Sequence, residues 1–331
     1  GAPRAQAPRA GAPRLAVLVV GVRERLYFLP TLRHVVAPAA RSGFQVDYFA
    51  SLNWEPSHVG ADQPWSQPWL RPTANPEVVN LTLGALRDQI VRHARHYGAR
   101  RANLLVFERL QVSAPPRHPA RRRLFGTSSA GHPKVVNALK RFWQIETLWN
   151  HTSAEMAGAG ERYERVVLTR DDVFWVGDLH LRLFPAEPRA VYSADAMGPC
   201  HPPAGLPSDR AIVMGSQAAG RLLRLHSSYH RLPGSGLDRA HNVERFFLAV
   251  AGASGLEWRV VPQDWLPFFV ALHRQGAGGG AATLCFRVAN KSLLERPSSP
   301  CVDPRWVRHP FCDDLEAVRD PPKARLRSAA E

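Results

Sequence analysis

Two adjacent carboxylates, Asp171 and Asp172, follow directly after Arg170 in the chain. The residues before Arg170 read Val-Val-Leu-Thr, a run typical of a buried strand. Ligands of open α/β sheets bind at the carboxyl ends of the strands. Paired carboxylates at that edge can hold a hard divalent cation that bridges phosphate oxygens. The segment therefore indicates either a cation site or a turn in which the aspartates pair with Arg170.

The elements that must position these carboxylates alternate between strand and helix. Apolar or alternating runs predict strands at residues 15–21, 44–49, 103–107, 165–170, 190–193, 210–214 and 258–261. Runs with helical periodicity predict helices at residues 32–36, 80–97, 135–156 and 242–251. Because parallel strands need crossover connections that are usually helical, the alternation predicts an α/β fold with a mostly parallel central sheet flanked by helices.

The composition excludes a disordered or fibrous chain and leaves two explanations of its charge. The 331 residues are 45% hydrophobic and carry a net charge of +15, and 39 of the 43 basic residues are arginine. Residues 1–130 hold an excess of 11 positive charges, whereas residues 131–331 hold only four. The arginine-rich stretch 87–123 could bind a polyanion, or it could reflect a compositional bias. It contains no zinc-finger, RNP-type or basic-zipper signature, so we expect no nucleic-acid partner.

Several weak signals together favour the lumen of the secretory pathway. Residues 1–14 repeat Ala-Pro-Arg, which is typical of a low-complexity tail or stem. Glycosylation sequons begin at Asn80, Asn150 and Asn290. The chain has no apolar run of 18 residues, so a membrane anchor would have to precede Gly1.

Cysteine spacing supports the same compartment. Three of the four cysteines, Cys285, Cys301 and Cys312, fall within the last 50 residues, and Cys200 stands apart. In an oxidising lumen, Cys301 and Cys312 would staple a Pro-rich C-terminal loop through a disulfide. Zinc bound by these two cysteines and His309 is the alternative, although no Cys-x-x-Cys pair supports it.

The chain resembles an uncharacterised plant and algal family of glycosyltransferase-like proteins with the A-type (GT-A, Rossmann-like) nucleotide-sugar-binding fold. Four blocks carry the resemblance, at residues 16–23, 142–175, 208–215 and 242–262. They contain the motifs Gly21-Val22-Arg23, Arg170-Asp171-Asp172, Ser208-Asp209-Arg210 and Asn242-Val243-Glu244. The resemblance implies a nucleotide-sugar donor, a glycan or glycoprotein acceptor and a location in the Golgi.

The family pattern Arg-x-Asp is met by Arg170 and Asp172. The resemblance therefore implies that Asp172, with Asp171 in the variable position, binds Mn²⁺ or Mg²⁺. The Asp-x-Asp motif common in A-type enzymes is absent, which leaves metal dependence open.

The resemblance implies further roles near the sheet edge. Asp209 and Arg210 would contact the sugar or acceptor, although a turn that starts a strand is an equal alternative for Asp209. Glu244 would act as general base on an acceptor hydroxyl, or would only favour the first turn of its helix.

Three more residues are assigned to the donor. Gly21 would allow close backbone approach of the nucleotide, and Arg23 would bind its diphosphate. Trp175 would stack on a sugar or base, unless it belongs to the core.

The predicted organisation has three parts: a tail at residues 1–14, an A-type α/β domain at 15–270, and a Gly-rich loop with a Cys- and Pro-rich extension at 271–331. The predicted function is transfer of a sugar from a nucleotide-diphosphate donor to a hydroxyl group, with assistance from a metal. Two alternatives are a degenerate, non-catalytic protein of the same fold that binds glycans, and a basic polyanion-binding protein.

Overall fold

A computed structural model describes residues 11–54, 72–73, 75–108, 133–195, 207–231, 240, 242–274, 283–287 and 311–312. The tail at residues 1–10, the arginines at 121–123, Cys200, Cys301, His309 and the sequon at Asn290 lie outside these ranges.

A seven-stranded, mostly parallel sheet forms the centre of the molecule, as the sequence predicts. Its strands are β1 (Arg14–Val22), β2 (Gln45–Asn53), β4 (Ala99–Phe107), β5 (Arg165–Arg170), β7 (Ala190–Asp195), β8 (Pro207–Gly215) and β9 (Glu257–Val261). They lie in the order β4-β2-β1-β5-β8-β7-β9. Only β8 runs antiparallel to its neighbours, β5 and β7. The α/β class is therefore confirmed. The reversed direction of β8 was not predicted from the sequence.

Helices cover both faces of this sheet. They are α1 (Phe28–Thr31), α2 (Ala37–Arg41), α3 (Pro76–Val79), α4 (Leu83–His96), α5 (Pro133–Gly158), α6 (Ser216–Leu222), α7 (Leu225–His230) and α8 (Val243–Ala253). A π-helical turn, Leu32–Val36, joins α1 to α2. None of the helices in the described part of the chain is long and apolar enough to cross a membrane.

Strand β1 contributes to a core on each face because successive side chains of a strand point in opposite directions. Leu15, Val17 and Val19 belong to the core that contains residues of α4 and the α1–α2 region. Ala16 and Leu18 belong to the core that contains residues of α5 and α8. All five side chains are buried, and the continuous apolar run at residues 15–21 forms a central strand, as its pattern predicts.

The chain changes direction across the sheet beside β1. Strand β2 pairs with one edge of β1, and β5 pairs with the other, both in parallel. The connection through α1 and α2 leads to β2, whereas α5 leads from the outer strand β4 back to β5. The carboxyl ends of β1 and β5 therefore form a topological switch point, the place where open α/β sheets bind ligands.

A second, smaller sheet is antiparallel and includes strands from distant parts of the chain. Its order is β12 (Phe311–Cys312), β11 (Thr283–Arg287), β10 (Phe268–Arg274) and β3 (Pro72–Thr73), and β6 (Val173–Trp175) also pairs with β10. The boundary predicted at residue 270 falls inside β10. The backbone register places Cys285 opposite Cys312.

Candidate functional site

Three strands deliver polar residues to one edge of the main sheet. Strand β1 ends at Val22 and is followed by a 3₁₀ turn, Arg23–Arg25. Strand β5 ends at Arg170 and runs into Asp171 and Asp172. Because β8 is antiparallel to β5, its first residues lie at this same edge. We call the space between the ends of β1 and β5 the switch-point crevice.

Asp171 is an internal anchor of the crevice. Its side chain is only 1% exposed, and its Oδ2 accepts hydrogen bonds of 3.0 Å from the Val22 backbone N–H and from Arg25 Nε. Arg25 Nη2 donates a third bond, of 3.2 Å, to Oδ1. Burial raises the pKa of Asp171, while the nearby Arg25 opposes that rise. Both carboxylate oxygens thus hold the turn after β1, an arrangement that does not favour the predicted role of Asp171 as a metal ligand.

The side chain of Asp171 packs so closely on Gly21 that no other side chain fits at position 21. A Cβ atom at position 21 would lie 2.1 Å from Asp171 Cγ, and Gly21 has a φ of +155°. The Gly21 carbonyl accepts a 3.1 Å hydrogen bond from Nε2 of the buried Gln144. Gly21 does lie under the crevice, but the close approach that it permits is that of the Asp171 carboxylate. The close approach of a nucleotide to this backbone stays a prediction.

Asp172 faces Arg170 in a two-point ion pair. Arg170 Nε lies 2.9 Å from Oδ1, and Arg170 Nη2 lies 2.6 Å from Oδ2. Arg25 Nη1 is 3.8 Å from Asp172 Oδ2, beyond hydrogen-bonding distance. Burial opposes ionisation of this carboxyl group, but Arg170 and Arg25 outweigh it and hold the pKa of Asp172 below its usual range. Asp172 is therefore a carboxylate at neutral pH, with its two oxygens directed at a guanidinium.

Asp209 joins the same network from β8. Its carboxylate accepts a hydrogen bond from Arg141 of α5, and Arg170 Nη1 lies 3.6 Å from its Oδ1. Despite burial, Arg141 and Arg170 lower the pKa of Asp209 to about 2. Asp209 is the third residue of strand β8, so the alternative of a turn before the strand is wrong. Arg170 bridges Asp172 and Asp209.

Glu244 approaches the network from the first turn of α8. The helix begins after Asn242, whose side chain accepts a 2.8 Å bond from the Arg245 backbone N–H. Glu244 is half-buried, and burial together with the negative charge of Asp209 raises its pKa. The pKa of Glu244 is therefore shifted upward, whereas the pKa values of Asp172 and Asp209 are shifted downward.

Arg210 lies within the field of these carboxylates. Burial and the charge of Arg170 lower the pKa of Arg210, while Asp209, Asp172 and Glu244 act in the opposite direction. The structure thus brings together the three carboxylates that the resemblance singled out, beside Arg170 and Arg210. Such a convergence of groups with opposite pKa shifts is typical of functional sites.

Arg23 differs from the other arginines of the crevice. Its guanidinium lies over the Trp54 ring, 4.1 Å from the ring centroid. Its Nε is buried with no hydrogen-bond partner, and no ion pair is found for it within the described ranges. Stacking on an aromatic ring fixes the plane of a guanidinium while leaving its N–H groups available. Trp54 therefore fixes the plane of the Arg23 guanidinium at the end of β1.

The donor set does not fit a divalent cation. Arg25 and Arg170 occupy the oxygens of Asp171 and Asp172, and a cation between these carboxylates would meet two guanidiniums. Within the described residues, no group of three His, Cys, Asp or Glu side chains is placed to hold a metal.

Trp175 is part of the core, so its predicted stacking on a sugar or base is wrong. Its side chain is 0% exposed and packs on Phe268, with ring centroids 5.6 Å apart. Strand β6 pairs with β10 in the second sheet, and this pairing carries Trp175 into the core.

Sequence reasoning missed three supporting residues: Arg25, Arg141 and Gln144. Arg141 and Gln144 are three residues apart on α5, so they lie on one face of the helix. Two polar residues at this spacing beside the apolar face of a long helix are a signal that could have identified them. Arg25 gives no comparable signal, because its partner is 146 residues away in the sequence.

The charges of the crevice are balanced. Four guanidinium groups (Arg25, Arg141, Arg170 and Arg210) lie among four carboxyl groups (Asp171, Asp172, Asp209 and Glu244). The turn after β1 adds Arg23 and Glu24, one charge of each sign. Guanidinium groups in such a crevice suit a phosphate-bearing ligand.

The solved structures that match the chain include a neighbour of low sequence identity. No protein-family model matches the chain, and no curated protein sequence matches it. Among solved structures, mouse xyloside xylosyltransferase 1 in its apo form is similar with a TM-score of 0.37 and 12% identity, over 75% of this chain and 85% of that one. At this level of similarity the neighbour establishes neither an activity nor a donor for the present chain.

Proposed function

We propose that the switch-point crevice binds a nucleoside-diphosphate sugar and transfers the sugar to a hydroxyl group of a glycan or glycoprotein. The observation that carries the proposal is the continuous network Asp172–Arg170–Asp209–Arg141, with Glu244 beside it, at the carboxyl ends of β1 and β5. This edge of an open α/β sheet is where phosphate-bearing ligands bind. Arginine is suited to phosphate because its planar fork donates two parallel hydrogen bonds.

The residues of the crevice have different roles in the proposed sugar transfer. The acceptor oxygen attacks the anomeric carbon, and the bond from that carbon to the diphosphate breaks, with the electron pair leaving on the phosphate oxygen. Glu244 accepts the proton of the acceptor hydroxyl, because its raised pKa makes it a better base than an ordinary carboxylate. The arginines oppose the charge that develops on the leaving diphosphate. Asp172 and Asp209 hold Arg170 in place.

A thermal-shift titration with UDP and with GDP tests the proposal. A nucleotide at about 100 times its Kd should stabilise the protein by about 2.7 kcal/mol. Arg23→Ala should remove most of the shift, because the guanidinium that Trp54 fixes at the end of β1 would bind the diphosphate. Arg33→Ala, an exposed arginine on the nearby π turn, serves as the matched control and should retain the shift.

Two other outcomes separate the alternatives. No shift with any nucleotide, combined with binding to a glycan array, would replace the proposal by a non-catalytic glycan-binding protein. Retention on heparin that depends on the arginines at 121–123, again without a nucleotide effect, would favour the polyanion-binding protein.

We further propose that the protein resides in the secretory pathway, where a nucleotide-sugar transferase meets glycoprotein acceptors. Asn80 and Thr82 of the first sequon are both exposed, in the turn between α3 and α4. Asn150, by contrast, lies within helix α5, and Thr152 is 0% exposed. Because attachment of a glycan needs access to both the Asn and the Thr, Asn80 is the better acceptor of the two.

We expect a glycan on Asn80 when the chain is isolated from the cells that make it. Peptide mass mapping before and after glycosidase treatment should show a mass loss for the peptide that contains Asn80, and Asn80→Gln should abolish it. Asn150→Gln should leave the glycan unchanged. An unmodified Asn80 in the wild-type chain would contradict the proposed compartment.

A further inference from the structure

The carboxylates of the switch-point crevice are already neutralised by arginine. Asp171 uses both oxygens on Arg25 and on the Val22 N–H, and Asp172 receives two N–H groups of Arg170. A divalent cation that took both oxygens of Asp172 in place of the guanidinium would displace Arg170, whose side chain is 22% exposed and would lose its closest partner. Separating such a pair is costly, because it leaves a charge partly buried and uncompensated.

Positive charge, by contrast, remains available at the end of β1. The guanidinium of Arg23 is fixed over Trp54 and has a buried Nε without a hydrogen-bond partner. Two residues later, Arg25 binds Asp171 through Nε and Nη2, while its Nη1 is 3.8 Å from Asp172. Both arginines belong to one short turn directly after β1. They form a pair of guanidiniums, of which Trp54 positions one and Asp171 the other, and neither contact uses all of the N–H donors.

We propose that Arg23 and Arg25 bind the diphosphate of the donor and neutralise its charge, so that donor binding requires no divalent cation. The inference rests on the proposed function and adds to it the chemical means of holding the leaving group. A guanidinium donates two parallel bonds to a phosphate, and it remains charged at every physiological pH. Asp171 has the role of positioning Arg25, and Trp54 has the role of positioning Arg23.

Calorimetric titration of UDP and GDP, each in EDTA and in Mn²⁺, tests this inference. The Kd should agree within about threefold between the two conditions. Arg23→Ala should weaken binding by about 10- to 100-fold in both, as expected for the loss of charge-assisted hydrogen bonds. Uridine, which lacks phosphate, should bind no more tightly to the wild type than to Arg23→Ala. Arg33→Ala should match the wild type.

A second variant, Asp172→Asn, tests whether Asp172 binds a metal. Loss of a metal ligand would weaken nucleotide binding, and only in Mn²⁺. Loss of a carboxylate that positions Arg170 should instead change binding by the same factor in EDTA and in Mn²⁺. Asparagine has almost the same shape as aspartate, and far-UV circular dichroism checks that the variant is folded.

The failures of the two proposals are distinguishable. Binding that disappears in EDTA and returns with Mn²⁺ would overturn the arginine inference and leave the nucleotide site standing. Absence of binding in both conditions would overturn the proposed function and this inference with it.

Discussion

Replacement of Glu244 by glutamine is expected to reduce the rate of sugar transfer by about 10²- to 10⁴-fold, the usual contribution of a general base. Glutamine keeps the size of the side chain and its place in the first turn of α8 but cannot accept a proton. Nucleotide binding should change little, because the arginines that would hold the diphosphate are untouched. Release of nucleoside diphosphate in the presence of acceptor, beside a binding titration, measures the two effects separately.

The pH dependence follows from the sign of the Glu244 shift. Burial and the charge of Asp209 raise the pKa of Glu244, so the carboxyl group stays protonated to a higher pH than an ordinary glutamate. A base must be deprotonated to act, and the transfer rate should therefore fall as the pH drops through this raised value. Glu244→Gln should remove that acidic limb. Glu257→Gln, an exposed glutamate on β9, is the control that should retain both the limb and the rate. A Glu244→Gln rate within threefold of the wild type would contradict the assignment.

Replacement of Gly21 by alanine should lower the free energy of unfolding by about 3 kcal/mol, the combined cost of overpacking and an unfavourable φ. The added Cβ would lie 2.1 Å from Asp171 Cγ, so the Asp171 carboxylate and its bonds to the turn would have to move. Urea denaturation monitored by circular dichroism measures the loss. Nucleotide binding should weaken as well, because Arg25 depends on Asp171.

Gly252→Ala provides the matched control for this prediction. Gly252 lies in helix α8, and a Cβ atom there would meet nothing within 4 Å. Alanine should stabilise the protein by up to about 1 kcal/mol, because it favours the helix more than glycine does. If Gly21→Ala proved as stable as the wild type, Asp171 could not occupy the position described here.

The sequence predicts the parts of the fold that depend on apolar periodicity. The runs that became β1 and β5 are continuous and buried, and helix α5 shows a clear apolar face. The resemblance singles out Asp172, Asp209 and Glu244, and the structure places the three carboxyl groups in one electrostatic network. Spacing alone does not predict this arrangement, because the reversal of the nine-residue strand β8 has no sequence signal.

The differing roles of Asp171 and Asp172 were beyond sequence reasoning. In the turn that follows β5, one carboxylate faces Gly21 and Arg25 while the other faces Arg170. Periodicity does not reveal which residue takes which direction. The pairing of Arg141 with Asp209 spans 68 residues, and ion pairs at such separations leave no local pattern. Trp175 was misassigned because its burial depends on pairing with β10, almost a hundred residues later.

The most direct test is a crystal structure of the protein with UDP or GDP bound in EDTA. The diphosphate should lie at the carboxyl ends of β1 and β5, within hydrogen-bonding distance of the guanidiniums of Arg23 and Arg25. Asp172 should still be paired with Arg170. A nucleotide bound elsewhere, or one that reaches this crevice only when a metal ion separates Asp172 from Arg170, would contradict the proposed mode of binding.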